Sequence, residues 1–183
     1  MHSIKKYIES FYYPTYFYGK VRAIAQPYLS THVSINEIVP GLYLGDFASA
    51  CNVEILKNLK FTHIVTAILG VDEMFPNDFI YLTLPLRDVR SETIFTVFSD
   101  SSDFIRNALQ NGGKVLIHCI CGVSRSATLV AAYLIKEYGM SADDAIKYIQ
   151  SKRNVVNPNS GFKSQLQRYH ALIHRKKQRS QSI

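Results

Sequence analysis

One stretch of this chain places a cysteine and an arginine six residues apart with a short loop between them: residues 118–126, HCICGVSRS. An apolar run, residues 115–117, precedes the stretch, and a segment of good helix-forming composition, residues 127–138, follows it. A strand, a tight loop and a helix in this order allow backbone N–H groups to converge on an anion at the helix N-terminus. The stretch therefore predicts a phosphate-binding loop.

The side chains of this loop are those that nucleophilic phosphoryl transfer requires. Cys119 is a nucleophile once ionised, and N–H dipoles, a helix N-terminus and a nearby guanidinium all favour the thiolate. We expect Arg125 to hold two phosphate oxygens and to stabilise them further in the transition state. We expect Ser126 to donate a hydrogen bond to the Cys119 sulfur, and His118 to orient the loop rather than to act as a base. The residues expected to contact the phosphate are Ile120, Cys121, Gly122, Val123, Ser124 and Arg125.

The stretch resembles the signature of the cysteine-dependent protein tyrosine phosphatases, and its form GVSRSA, residues 122–127, is similar to the dual-specificity phosphatases. Three further segments carry the resemblance: GLYLG (41–45), THIV (62–65) and NPNSGF (157–162) followed by Gln165-Leu166. The resemblance spans residues 34–173. It implies a protein phosphatase that hydrolyses phosphotyrosine and phosphoserine/threonine through a phosphocysteine intermediate and needs no cofactor.

The resemblance also implies a general acid, an aspartate on a loop before the cysteine. We assign this role to Asp88, which follows the strand-like segment Phe79–Leu84 and precedes a helical one. It would protonate the leaving oxygen and then activate water against the phosphocysteine. The alternative interpretation is a loop carboxylate that pairs with Arg87 or Arg90.

The order of the elements predicts an α/β fold, with a mostly parallel central sheet flanked by helices, as in the cysteine-dependent phosphatases. The active loop would lie at the carboxyl end of the central strand, where such folds bind ligands. The predicted strands are Ile38–Leu44, Phe61–Ile68, Phe79–Leu84 and the central Val115–His118. The predicted helices are Phe47–Asn58, Phe98–Asn111, one that ends near Tyr138-Gly139, one that opens at Ser141 and one that begins near Ser160.

Composition and charge limit the classes of protein. A chain of 183 residues with 47% apolar residues is long enough for one domain with a substantial core. Three cysteines favour a reducing compartment, so we expect a cytoplasmic protein, with the nucleus as the alternative. We expect no signal peptide and no transmembrane segment. We also expect no metal site, since no second cluster of ligands accompanies His118, Cys119 and Cys121.

The two ends of the chain differ from the predicted catalytic domain. Residues 1–33 form an aromatic-rich extension, for which three roles are open: helices packed on the domain, a homodimer contact, or binding at a membrane interface. Residues 174–183 form a basic tail. The net charge of +7 favours anionic partners, and phosphorylated proteins are the expected ones, without an obligate nucleic acid.

Three alternatives to this function remain open at the level of the sequence. Action on phosphoinositides is disfavoured because residues 120–124 contain no lysine, and action on RNA 5′-phosphates because the loop differs from that of RNA phosphatases. A scaffold that binds phosphoproteins without turnover is the third alternative. Two roles are open for Cys121. It is either a small hydrophobic residue without a chemical role, or the partner of an oxidised Cys119 in a reversible disulfide, a role that Cys51 could also take.

Overall fold

The computed structural model describes residues 34–181. Its five strands are β1 (Ile35–Val39), β2 (Leu42–Gly45), β3 (His63–Ala67), β4 (Ile80–Leu84) and β5 (Val115–His118). Its six α-helices are α1 (Phe47–Ala50), α2 (Val53–Asn58), α3 (Phe98–Gln110), α4 (Arg125–Tyr138), α5 (Ala142–Lys152) and α6 (Ser160–Gln181). A short 3-10 helix, Ile94–Val97, leads into α3.

The strands form one mixed sheet in the order β1-β2-β5-β3-β4. β1 pairs antiparallel with β2, and every other pair is parallel. All four residues of β5 are buried, as expected for a central parallel strand that is covered on both faces. The predicted α/β class is confirmed, and the carboxyl end of β5 lies between the ends of β2 and β3.

Two predicted elements are wrong because local turn and capping signals divide them. The strand predicted at Ile38–Leu44 is a tight hairpin of two strands, and Gly41 turns the chain with a φ of 81°. Such a left-handed conformation is one that glycine adopts without a steric penalty. The helix predicted at Phe47–Asn58 is two short helices. The first ends at Ala50 with Cys51 as its C-cap, and Asn52 caps the second: its Oδ1 accepts a hydrogen bond from Ile55 N at 3.1 Å.

Helix α4 is the centre of the helical layer and fixes the direction of the active loop. It is buried along most of its length and packs against α3, α5 and α6. A buried Leu or Phe side chain contributes about 1.5–3 kcal/mol, and Leu129 and Phe162 are both fully buried here. The helix ends as predicted at Gly139, which has a left-handed φ of 69°. Because α4 is packed on three sides in the core, the orientation of the loop that leads into it is fixed relative to the sheet.

The expectations for residues 1–33, packing or a dimer contact among them, lie outside the described residues. Between residues 34 and 181 no helix is long and apolar enough to span a membrane. The basic residues after 173 are largely continuous with α6, which runs to Gln181.

Candidate active site

The loop between β5 and α4 has all five of its carbonyl groups turned outward. Each accepts a hydrogen bond from a donor outside residues 120–124. The bonds are Phe47 N to Ile120 O (3.0 Å), Arg153 Nη2 to Cys121 O (3.1 Å), Arg153 Nε to Gly122 O (3.0 Å), Asn157 N to Val123 O (2.9 Å) and Thr128 N to Ser124 O (2.9 Å). A trans peptide unit directs its N–H opposite to its C=O. The N–H groups of the loop therefore face the inside, where a phosphate would lie.

Gly122 allows this curvature. Its φ is 65°, a left-handed conformation that other residues adopt only with strain. A Cβ atom at this position would also meet the carbonyl oxygen of Gly45 and the guanidinium of Arg153. Both the turn and the close packing of the loop on β2 thus require a residue without a side chain.

Cys119 lies at the base of the loop as a free thiol, 2% exposed. Its Sγ accepts a hydrogen bond from Ser126 Oγ at 3.1 Å. Burial alone would raise the pKa of this thiol. The hydroxyl and N–H of Ser126, the charge of Arg125 and the N–H of Val123 outweigh burial and lower the pKa below its ordinary value. The geometry therefore favours a thiolate, the reactive form of cysteine.

Arg125 is the first residue of α4, two positions earlier than the predicted start of that helix. The residue is 9% exposed, and its Nη1 donates to Leu86 O at 3.2 Å. Its Nε lies 3.6 Å from Asp88 Oδ2 and makes no hydrogen bond within residues 34–181. A guanidinium that is held on one side and has a donor without a hydrogen bond on the other can bind a phosphate oxygen.

Asp88 lies over the loop and is tied to it. Its Oδ1 accepts hydrogen bonds from Ser124 Oγ at 2.8 Å and from Asn159 Nδ2 at 2.9 Å. The alternative pairing with Arg87 is wrong, because Arg87 Nε pairs with Glu92 at 2.8 Å instead. The structure thus brings Asp88 together with Cys119, Ser126 and Arg125 around one loop. Its side chain is 35% exposed and can meet a substrate from solvent.

The segment that carries Asp88 is seated on the start of α6. Gly161 packs so closely against Arg90 that a Cβ atom would overlap the Arg90 carbonyl oxygen. Gln165 Nε2 donates to Glu92 O at 2.9 Å, and its Oε1 accepts from Phe95 N at 2.9 Å. The residues 157–165 that carried part of the family resemblance therefore fix the position of the candidate general acid.

His118 lies below the loop and is 1% exposed. Its Nε2 shares a hydrogen bond of 2.9 Å with Thr66 Oγ1 on β3. Burial, opposed by the backbone of Cys119 and assisted by the charge of Arg125, lowers the pKa of His118 to about 4. A neutral ring bonded to the neighbouring strand agrees with a role in orienting the loop.

Sequence reasoning missed three residues that build the site: Arg153, Asn159 and Thr66. Asn159 stood in a segment that resembled the family, but its contact with Asp88 was not anticipated. Arg153 and Thr66 carried no local signal, since their partners are 31 or more positions away in the sequence. Cys121 is exposed and a free thiol, and Cys51 is buried; their redox roles stay predictions.

A buried low-pKa cysteine in a loop of inward N–H groups, with an arginine and a carboxylate beside it, defines a cysteine-dependent phosphatase. Comparison with known proteins gives the particular class. The family model "Dual specificity phosphatase, catalytic domain" matches residues 42–171. The chain belongs to the dual specificity phosphatase family, as its sequence predicted, and carries that family's catalytic domain.

Three relatives illustrate the similarity. Dual specificity protein phosphatase 1B of Arabidopsis thaliana is 40% identical over 157 residues, which cover 85% of this chain and 93% of that protein. The human tyrosine phosphatase-like serine/threonine/tyrosine-interacting protein superposes with a TM-score of 0.73 and 39% identity, covering 75% of this chain and 96% of that one. A mouse relative crystallised with zinc tungstate has a TM-score of 0.74 and 29% identity, covering 78% and 90%.

Proposed function

We propose that the enzyme hydrolyses phosphate monoesters on proteins in two steps, through a phosphocysteine on Cys119. In the first step the thiolate attacks phosphorus, the bond to the ester oxygen breaks, and Asp88 gives its proton to that oxygen. In the second step Asp88 takes a proton from water, the water oxygen attacks phosphorus, and the thiolate leaves. One observation carries the proposal: Cys119 Sγ accepts a hydrogen bond from Ser126 Oγ at the base of a loop whose five carbonyl groups all accept hydrogen bonds from donors outside it.

The loop supplies the electrostatic stabilisation that both steps need. Charge spreads over three phosphate oxygens in the transition state, and fixed donors already aimed at them need no reorganisation. The inward N–H groups of residues 121–125 and the guanidinium of Arg125 are such donors. Ser126 stabilises the thiolate as it leaves in the second step, so its loss is expected to slow hydrolysis of the intermediate more than its formation.

The mouth of the site supports phosphotyrosine and phosphoserine/threonine in proteins as the substrates. Asp88 lies near the surface, and the neighbouring Val89 and the loop residue Ile120 are apolar and 42% and 38% exposed. Exposed apolar side chains beside the site are compatible with both long and short phosphorylated side chains. Relatives named as dual specificity phosphatases support the same class. The tungstate in the structure of the mouse relative is a tetrahedral oxyanion like phosphate, which supports phosphate binding by this family.

The experiment is a pH–rate profile on p-nitrophenyl phosphate and on a phosphotyrosine peptide, for wild type, Cys119→Ser and Asp88→Asn. We expect Cys119→Ser to abolish turnover of both substrates. Asp88→Asn is expected to slow the peptide by about 10²-fold or more and to flatten the fall in its rate at high pH. A wild-type protein that binds phosphopeptide without turning it over would contradict the proposal and favour a phosphoprotein-binding scaffold.

A further inference from the structure

Arg153 is a buried arginine behind the active loop that the mechanism above does not use. It follows the last residue of α5 and is 5% exposed. Its guanidinium makes five hydrogen bonds. The bonds run from Nε to Gly122 O (3.0 Å), from Nη2 to Cys121 O (3.1 Å), and from Nη1 to Ser34 O (3.2 Å), Ser34 Oγ (2.7 Å) and Asn36 Oδ1 (2.8 Å). One side chain thus joins the active loop to the start of β1.

We propose that Arg153 is a positioning residue of the active loop, which holds the two peptide units on either side of Gly122 in the orientation that directs their N–H groups at the phosphate. This inference rests on the phosphatase function proposed above. Of the five loop carbonyls, three are held by backbone N–H groups and two by Arg153 alone. A glycine has the freest backbone of any residue, so these two peptide units are the ones that most need an external restraint.

The peptide unit that joins Gly122 to Val123 connects Arg153 with the nucleophile. Its carbonyl oxygen accepts from Arg153 Nε, and its N–H, on the opposite side, faces the sulfur of Cys119. A donor on the carbonyl polarises the peptide and strengthens the hydrogen bond that its N–H makes. Without Arg153, rotation of this unit would remove a donor from the thiolate and present a carbonyl dipole to the phosphate.

The charge of Arg153 acts in the same direction. None of its hydrogen bonds within residues 34–181 goes to a carboxylate, so its positive charge is not neutralised by a paired anion. Burial lowers the pKa of this guanidinium, whereas the charges of Asp46, Cys119 and Cys121 raise it. Attraction between two groups is mutual, so Arg153 also favours the thiolate, as a second cation beside Arg125.

The test uses the full-length protein with Arg153→Ala, and Arg106→Ala as the matched control. Arg106 also lies partly buried in ion pairs, with Asp103 and Glu137, but on α3 and away from the loop. Three quantities are measured: kcat/KM on a phosphotyrosine peptide, inhibition by vanadate, and the pH midpoint of Cys119 alkylation by iodoacetamide. Circular dichroism checks that each variant is folded.

We expect Arg153→Ala to lower kcat/KM and weaken vanadate inhibition by about tenfold or more, and to move the alkylation midpoint to higher pH. Arg106→Ala is expected to change none of the three. A polar pocket of about 330 Å³, lined by Ser34, Asn36 and Arg153, opens to solvent behind the loop. Added guanidinium is therefore expected to restore part of the activity of Arg153→Ala, and urea is not.

A folded Arg153→Ala protein with wild-type kcat/KM, vanadate inhibition and alkylation midpoint would overturn the inference. If that variant does not fold, Asn36→Ala decides, since it removes an outer partner of the guanidinium and leaves the loop itself intact. Asn36→Ala removes one hydrogen bond to a charged group that is partly screened by solvent, so we expect its affinity for vanadate to fall two- to threefold. An unchanged vanadate affinity in Asn36→Ala would overturn the inference. Wild-type protein that binds vanadate but turns over no phosphopeptide would contradict the proposed function. The vanadate affinity and the alkylation midpoint of the variants would still test the positioning role of Arg153.

Discussion

The side chain of Asn159 makes two separate hydrogen bonds, and substitution can remove one without the other. Its Nδ2 donates to Asp88 Oδ1 at 2.9 Å, whereas its Oδ1 accepts from Phe162 N at 3.0 Å and caps helix α6. Asn159→Ala removes both contacts. Asn159→Ser keeps an oxygen that can cap the helix but has no group that reaches Asp88. The pair of variants therefore separates the role of Asn159 in stability from its role in holding the candidate general acid.

The two losses have different magnitudes and readouts. Loss of a side-chain cap costs about 1 kcal/mol, which for a domain of this size lowers the melting temperature by roughly 3 °C. A hydrogen bond to a charged group is worth about 1.5–3 kcal/mol, and less here because the Asp88 side chain is 35% exposed. A loss of about 1 kcal/mol from the transition state corresponds to a rate about fivefold lower.

The assay compares two substrates and a thermal melt. On a phosphotyrosine peptide, which needs protonation of its leaving group, both variants are expected to lose about fivefold in kcat. On p-nitrophenyl phosphate, whose leaving group departs without help, both are expected to stay near wild type. Asn159→Ala alone is expected to melt earlier. Asn159→Ser with wild-type kcat on the peptide, or with equal losses on both substrates, would refute the argument that Asn159 acts through Asp88.

Three further predictions follow from the site. Gly161→Ala is expected to cost about 1–3 kcal/mol of unfolding free energy in a denaturant titration and to lower peptide turnover, because its methyl group displaces Arg90 and the acid segment; wild-type values for both would contradict this packing. Burial on folding lowers the pKa of His118 from 6.5 to about 4, so the unfolded chain holds more protons in this window. His118 is therefore expected to contribute a fall of about 3 kcal/mol in the unfolding free energy from pH 6.5 to 4. The fall in His118→Gln is expected to be smaller than that in wild type by this amount, and an equal fall in both proteins would contradict the assignment. Ser126→Ala is expected to move the alkylation midpoint of Cys119 to higher pH, since it removes the Oγ donor; an unchanged midpoint would show that the hydroxyl does not stabilise the thiolate.

The active loop could be predicted from the sequence because its parts are contiguous. The nucleophile, the arginine and Ser126 stand within eight residues, and the strand before them and the helix after them have strong composition signals. The position of Asp88 depended on a family resemblance, since it lies 31 positions before Cys119 and no local pattern marks an acid. The structure brings the two together through parallel strands whose carboxyl ends share one edge of the sheet.

The remainder of the site could not be predicted because it is made of long-range contacts. Arg153 reaches Ser34, 119 positions away, and Asn159 reaches Asp88, 71 positions away. A propensity or a spacing does not encode such pairs. By contrast, the turn at Gly41 and the cap at Asn52 were visible in the sequence, and the errors at β1–β2 and α1–α2 came from giving hydrophobic runs more weight than those signals.

Phosphorylation of Cys119 during turnover can be tested by trapping the phosphorylated protein. Ser126→Ala protein is mixed with a phosphotyrosine peptide, quenched with acid within a single turnover and digested for mass spectrometry. We expect a phosphoryl group on the fragment that contains Cys119, formed at the rate of peptide dephosphorylation and absent from the Cys119→Ser protein. Dephosphorylation of the peptide with no phosphorylated Cys119 at any quench time would contradict this expectation.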